Sequence, residues 1–183
     1  MRTFMLTFSL SCLLALYGAE AAPATGSGVS FSLTDQDGRT VTERNFAGRY
    51  MLVFFGYTHC PDICPTTLQE LSVLSDALPS DLSRRLSMVF VTGDPQRDTP
   101  AVMKEYLSLF GSKIIGLSGS VRDVDDLAWA LKAVVIRQGD GTGYYPVDHS
   151  TNYILLHDGQ IIDQIPNTLT TSEMVERLGQ LVK

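Results

Sequence analysis

The sequence predicts an α/β sandwich, a central mixed sheet flanked by helices, and three observations carry that reading. Met51 to Phe55 and Met88 to Val91 are continuous apolar runs, as expected of strands buried on both faces. Leu68, Leu71, Leu74 and Leu78 recur between them at three- and four-residue spacing, which makes one face of a helix. The chain then closes on strand, turn, strand and helix, with Asp158-Gly159 at the turn.

The elements follow in order. Phe31 to Leu33 and Thr40 to Thr42 flank Asp35-Gln36-Asp37-Gly38, which reads as an N-terminal hairpin with a glycine turn. The strand Met51 to Phe55 leads to a helix expected from Pro65 to Leu78, and that helix to the strand Met88 to Val91. Asp98-Thr99-Pro100 opens a further helix, a capping residue set before a proline suited to the first turn. Ile114 to Leu117 reads as a short strand. Ser120 starts the next helix, with Asp123 placed for its N-terminal dipole. Val134 to Gln138, Tyr153 to Leu156 and Ile161 to Ile165 are the remaining strands, and Ser172 to Val182 the last helix.

Composition narrows the class. Of 183 residues, 44% are hydrophobic and 19% charged, a balance that fits one folded domain. The net charge of -6 leaves no basic footprint, so nucleic acid is excluded as a partner. The N-terminus differs from the rest. Arg2, the apolar run Phe4 to Tyr17 and the small residues Ala19 to Ala22 describe a secretory signal peptide over residues 1–21. The run is shorter than the ~20 residues of a bilayer span, and an uncleaved anchor is the alternative. Residues 22–28 form a flexible small-residue linker, and residues 29–183 the single domain. Export implies the periplasm. Cys12 is expected to leave with the leader, which would make Cys60 and Cys64 the only cysteines in an oxidising compartment.

Three segments carry a resemblance. Phe54 to Pro65, containing Cys60-Pro61-Asp62-Ile63-Cys64, is similar to the signature of the SCO/SenC family, and Gly93 to Pro100 and Val147-Asp148-His149-Ser150 match it in order. Asn45 to Gly48 also has the family's look. A lone C-x3-C is weak; three ordered motifs with matching neighbours are strong. The resemblance covers most of the chain from Phe31 onward. It implies a thioredoxin-like fold and copper delivery, or thiol reduction, during assembly of the copper site of cytochrome c oxidase. Carried over by motif, the metal ligands are Cys60, Cys64 and His149. The partners implied are the apo-oxidase copper subunit or another periplasmic copper protein, a copper donor chaperone, and the membrane only through an uncleaved anchor.

The donor types suit the implied metal. Cu(I) is soft and prefers thiolates, with imidazole a common companion. Zn(II) normally wants four ligands, or three and a water. Pro61 and Pro65 disfavour helical geometry at Cys60 and Cys64, so both cysteines are expected on a loop leading into the helix. Near a helix N-terminus the dipole is expected to lower the Cys64 pKa, favouring metal binding and disulfide exchange alike. The bland reading of the pair is a structural disulfide. So short a loop gains only about 2 kcal/mol, which a domain this apolar hardly needs.

Other residues get plainer readings. His149 is expected on a loop before the strand Tyr153 to Leu156; on its own it would pass for a surface histidine. His59 adjoins Cys60 but reads as packing, and His157 is assigned no role. Asp62 either tunes the thiols or is an exposed turn acid. Asp94 to Pro100 reads as structural, with Asp98 or Thr99 as the cap and Arg97 pairing with an acid. The pattern departs from thioredoxins in C-x3-C for C-x2-C, and Thr151 or a neighbour falls where they carry a cis-proline. The absence of that proline, with His149 nearby, shifts the balance from oxidoreductase toward metal carrier. The competing classes are a thiol-disulfide reductase using Cys60 and Cys64, a peroxide-reducing relative, and a redox or copper sensor.

Overall fold

The computed structural model describes residues 28–139 and 143–183. The expected leader, Cys12 and nearly all of the linker lie outside them. Strand β3, Tyr50–Gly56, is buried along its whole length. Its side chains alternate between faces. Leu52 and Phe54 join one core with α1 (Ile63–Ala77) and α5 (Thr171–Leu181). Val53 and Phe55 join the other, under α4 (Val121–Ala130).

β3 pairs in parallel with β4 (Leu86–Thr92), and β4 with β5 (Ile114–Ser118). α3 (Pro100–Ser108) lies between those two strands in the chain. On the other side β3 pairs antiparallel with β8 (Tyr153–His157), which turns back into β9 (Gln160–Ile165). The hairpin β1 (Ser32–Asp35) and β2 (Thr40–Thr42) adds antiparallel to β5. The result is a seven-stranded mixed sheet in the order β2-β1-β5-β4-β3-β8-β9. This is the expected thioredoxin-like sandwich with its hairpin extension.

Three local expectations are corrected and one open choice is resolved. First, α1 begins at Ile63, so Cys64 is helical rather than on a loop. Pro65 stays within the first turn, where its missing N–H costs no hydrogen bond, and burial of Cys64 outweighs the steric preference before a proline. Second, His149 ends a strand, β7 (Val147–His149), which pairs only with β6 (Val135–Arg137) in a separate ribbon. Third, of the two candidate caps it is Thr99 that caps α3, accepting from the Val102 N–H, while Asp98 turns inward. Fourth, a short helix α2 (Ser80–Arg85) fills the stretch between α1 and β4, where none was expected.

Candidate metal centre

The site forms where β3 ends. The chain leaves Gly56, makes a turn closed by the Cys60 N–H donating to the Tyr57 carbonyl at 3.2 Å, and enters α1 at Ile63. Cys60 sits on the turn and Cys64 in the first turn of the helix. Both are buried and unbridged. The Cys64 amide donates to Cys60 Sγ at 3.4 Å, so a helix N-terminal N–H is aimed at a sulfur. Gly56 makes room for this packing: a Cβ there would lie 2.9 Å from Cys64 Sγ and 2.6 Å from the Phe90 ring.

His149 comes from the ribbon, where it is paired with Val135. Its Nδ1 lies 3.1 Å from the Ser150 carbonyl, which can only accept, so Nδ1 carries the proton and Nε2 is bare. Nε2 lies 3.3 Å from Cys64 Sγ. The ring stands edge-on to Phe54 and Tyr57, at centroid distances of 5.8 and 6.0 Å. The three ligand atoms fall within 4.8 Å of one another. No other group of three metal-ligating side chains comes together among the described residues.

Electrostatics contradict one expectation. Burial pushes the Cys64 thiol up, with the Cys60 side chain adding to the rise. Desolvation therefore outweighs the helix dipole, and Cys64 without metal is a neutral thiol donating to Nε2. Burial pushes His149 down, which keeps its imidazole neutral. Two thiols and a bare imidazole nitrogen in a buried cluster match the preferences of a soft monovalent metal. Hard cations would find no carboxylate among these three donors.

The surrounding residues separate cleanly. Asp62 is an exposed residue at the N-cap of α1, without a side-chain cap bond. His59 points half outward, with Nδ1 3.1 Å from Thr58 Oγ1. His157 stacks on Tyr50 at the far end of β3. Arg97 does pair with an acid, its neighbour Asp94. Sequence reasoning missed Tyr145, which donates to Asp94 at 2.6 Å and carries the Arg97 guanidinium 3.6 Å above its ring. Nothing in local sequence signals that contact, because its partners are remote in the chain.

A family model described as SCO1/SenC matches residues 19–183. Protein sco1 of Schizosaccharomyces pombe is 34% identical over 160 residues, covering 83% of this chain and 59% of its own length. This chain thus spans less than two thirds of that relative. The structure of Bradyrhizobium japonicum ScoI with copper bound superposes with a TM-score of 0.76 at 35% identity, covering 84% of this chain and 98% of that one. BsSco, described as a member of the Sco family of cytochrome c oxidase assembly proteins and as containing a disulfide switch, shares the fold. Its TM-score is 0.69 at 19% identity, over 89% of this chain and 97% of its own.

Proposed function

This chain belongs to the SCO1/SenC family, and from that premise we propose that it is a copper carrier using Cys60, Cys64 and His149. The observation that carries the reading is the cluster itself, two thiols and one bare nitrogen within 4.8 Å. Cargo leaves by ligand exchange, in which an acceptor's donors replace these three one at a time. His149 is the natural first to yield, since it is a neutral imidazole borne on a two-stranded ribbon. The acceptor in this reading is the apo copper-site subunit of cytochrome c oxidase or another periplasmic copper protein. That assignment takes its support from the copper-bound ScoI and from the description of the Sco family. The compartment is the periplasm, on the strength of the leader-like residues 1–21.

The test is Cu(I) binding by the reduced protein in competition with a calibrated chelator, wild type against His149→Ala. One-to-one binding that weakens at least tenfold in the variant is the expected result. Absence of binding, or binding indifferent to His149, sinks the carrier reading. A second reading, thiol-disulfide reductase toward the oxidase subunit, draws on the adjacency of the two free cysteines across the Cys64 amide. His149→Ala separates the two, because exchange by Cys60 and Cys64 survives it.

A further inference from the structure

Two fully buried carboxylates, Asp94 and Asp98, sit on the β4–α3 connection, and neither is one of the donors. Burying a carboxylate costs several kcal/mol unless donors surround it, so both positions call for an explanation. Each is surrounded, and by different halves of the site. Asp98 accepts from the Thr58 N–H at 2.9 Å and from the hydroxyls of Thr58 and Thr92 at 2.6 Å each. Thr58 lies within the turn that carries Cys60. Asp94 accepts from Arg97 Nε and from the Tyr145 hydroxyl at 2.6 Å. Arg97 also donates to the Tyr145 carbonyl at 2.8 Å. Tyr145 leads directly into β7, the strand that ends at His149.

The two arms are joined. Thr92 Oγ1 donates to Asp98 and accepts from the Asp94 amide at 2.8 Å. The Asp98 N–H donates to the Asp94 carbonyl at 2.9 Å. At the base of the connection, the Gly93 N–H donates to the Gly56 carbonyl at 2.6 Å. A Cβ on Gly93 would lie 3.1 Å from Val135 and 3.3 Å from Val147, so the ribbon rests directly on this backbone. A two-stranded ribbon is marginal on its own. Its placement beside the cysteines depends on such side contacts.

We infer that residues 92–99 form a two-armed brace, in which Asp98 positions the cysteine turn and Asp94, through Tyr145 and Arg97, positions His149. The two aspartates are positioning residues for opposite halves of one metal site. The inference rests on the copper reading, and its test keeps the two apart. Cu(I) affinity is measured for Asp94→Asn, Tyr145→Phe, Asp98→Ala and Asp98→Asn, each in the wild-type and the His149→Ala background. Loss of a group that orients a ligand commonly weakens metal binding about 10- to 100-fold. Asp94→Asn removes the charge that pairs with Arg97 and is expected to weaken binding about tenfold in wild type, but less than about twofold once His149 is gone. Tyr145→Phe, the milder change, follows the same pattern. Asp98→Ala weakens binding in both backgrounds. Asp98→Asn restores it, because an amide keeps the acceptor for the Thr58 N–H and can donate to the hydroxyl.

A metal-free readout runs beside it. In the reduced apoprotein, the His149 imidazole NMR signals shift in Asp94→Asn and Tyr145→Phe and hold in Asp98→Asn. Equal losses with and without His149, together with unmoved imidazole signals, overturn the brace. Wild type that binds no copper sinks the carrier reading instead, and the imidazole signals then decide the brace alone.

Discussion

The cysteines and the histidine reach the site by different constructions. Cys60 and Cys64 follow β3, which has neighbours on both sides of the main sheet, and Cys64 is covered by the first turn of α1. His149 ends a two-stranded ribbon outside that sheet, held by the clasp of Asp94, Arg97 and Tyr145 and by Arg137 pairing with Asp125 at 2.9 Å. One half continues a central strand of the main sheet. The other is a separate ribbon that is docked on the core through Tyr145 and Val147. On the proposed carrier function, both kinds of ligand have a use, some to hold the cargo and one to move aside.

The largest test of that contrast is at Phe54, fully buried in β3 and in edge contact with His149. Phe54→Ala is expected to cost about 3–5 kcal/mol of stability, read by chemical denaturation. It is also expected to loosen His149, so copper affinity falls further than in Asp98→Asn. A loss of stability with unaltered affinity would separate the ligand geometry from the core.

Next in size is pH. The Cys64 pKa is raised, so its proton stays on below that value and must leave when copper binds. Affinity should therefore rise about tenfold per pH unit across roughly pH 6 to 8 from this proton alone. Burial lowers the His149 pKa, so the imidazole adds less to this slope than an ordinary histidine would. The slope should persist in His149→Ala, and a slope that vanishes in that variant would move the proton to the ribbon. The smallest effect belongs to Ile136, half-exposed on the outer face of β6. Ile136→Ser is expected to change stability by no more than about 0.5 kcal/mol in a thermal melt. A larger loss would mean that the ribbon carries more of the fold than its contacts suggest.

The same contrast governs what the sequence reveals. β3 and β4 were legible because strands buried on both faces are apolar throughout, and α1 because its leucines keep helical spacing. The donors were legible through ordered motifs. The ribbon was harder. Val135 turns inward while Val134 and Ile136 are half-exposed, so β6 hints at a strand without naming its partner, and β7 is only three residues long. Asp98 and Thr99 suit a helix cap equally well in the sequence, because an aspartate that caps and one that is a buried acceptor have the same side chain. Only the remote Thr58 and Thr92 tell them apart. The direction of the Cys64 shift was missed for a related reason, since position in a helix is local and desolvation is global.

The way the chain joins the domain has a consequence for delivery. The Val29 amide donates to the Gly159 carbonyl at 2.7 Å, and Gly159 belongs to the β8–β9 turn beside the Tyr50 end of β3. Cys60 and Cys64 lie past the Gly56 end. Six steps of strand at ~3.3 Å each put about 20 Å between those ends. Were the leader retained as an anchor, it would hold the domain by its heel, and the two cysteines would lie about 20 Å farther from the anchored surface.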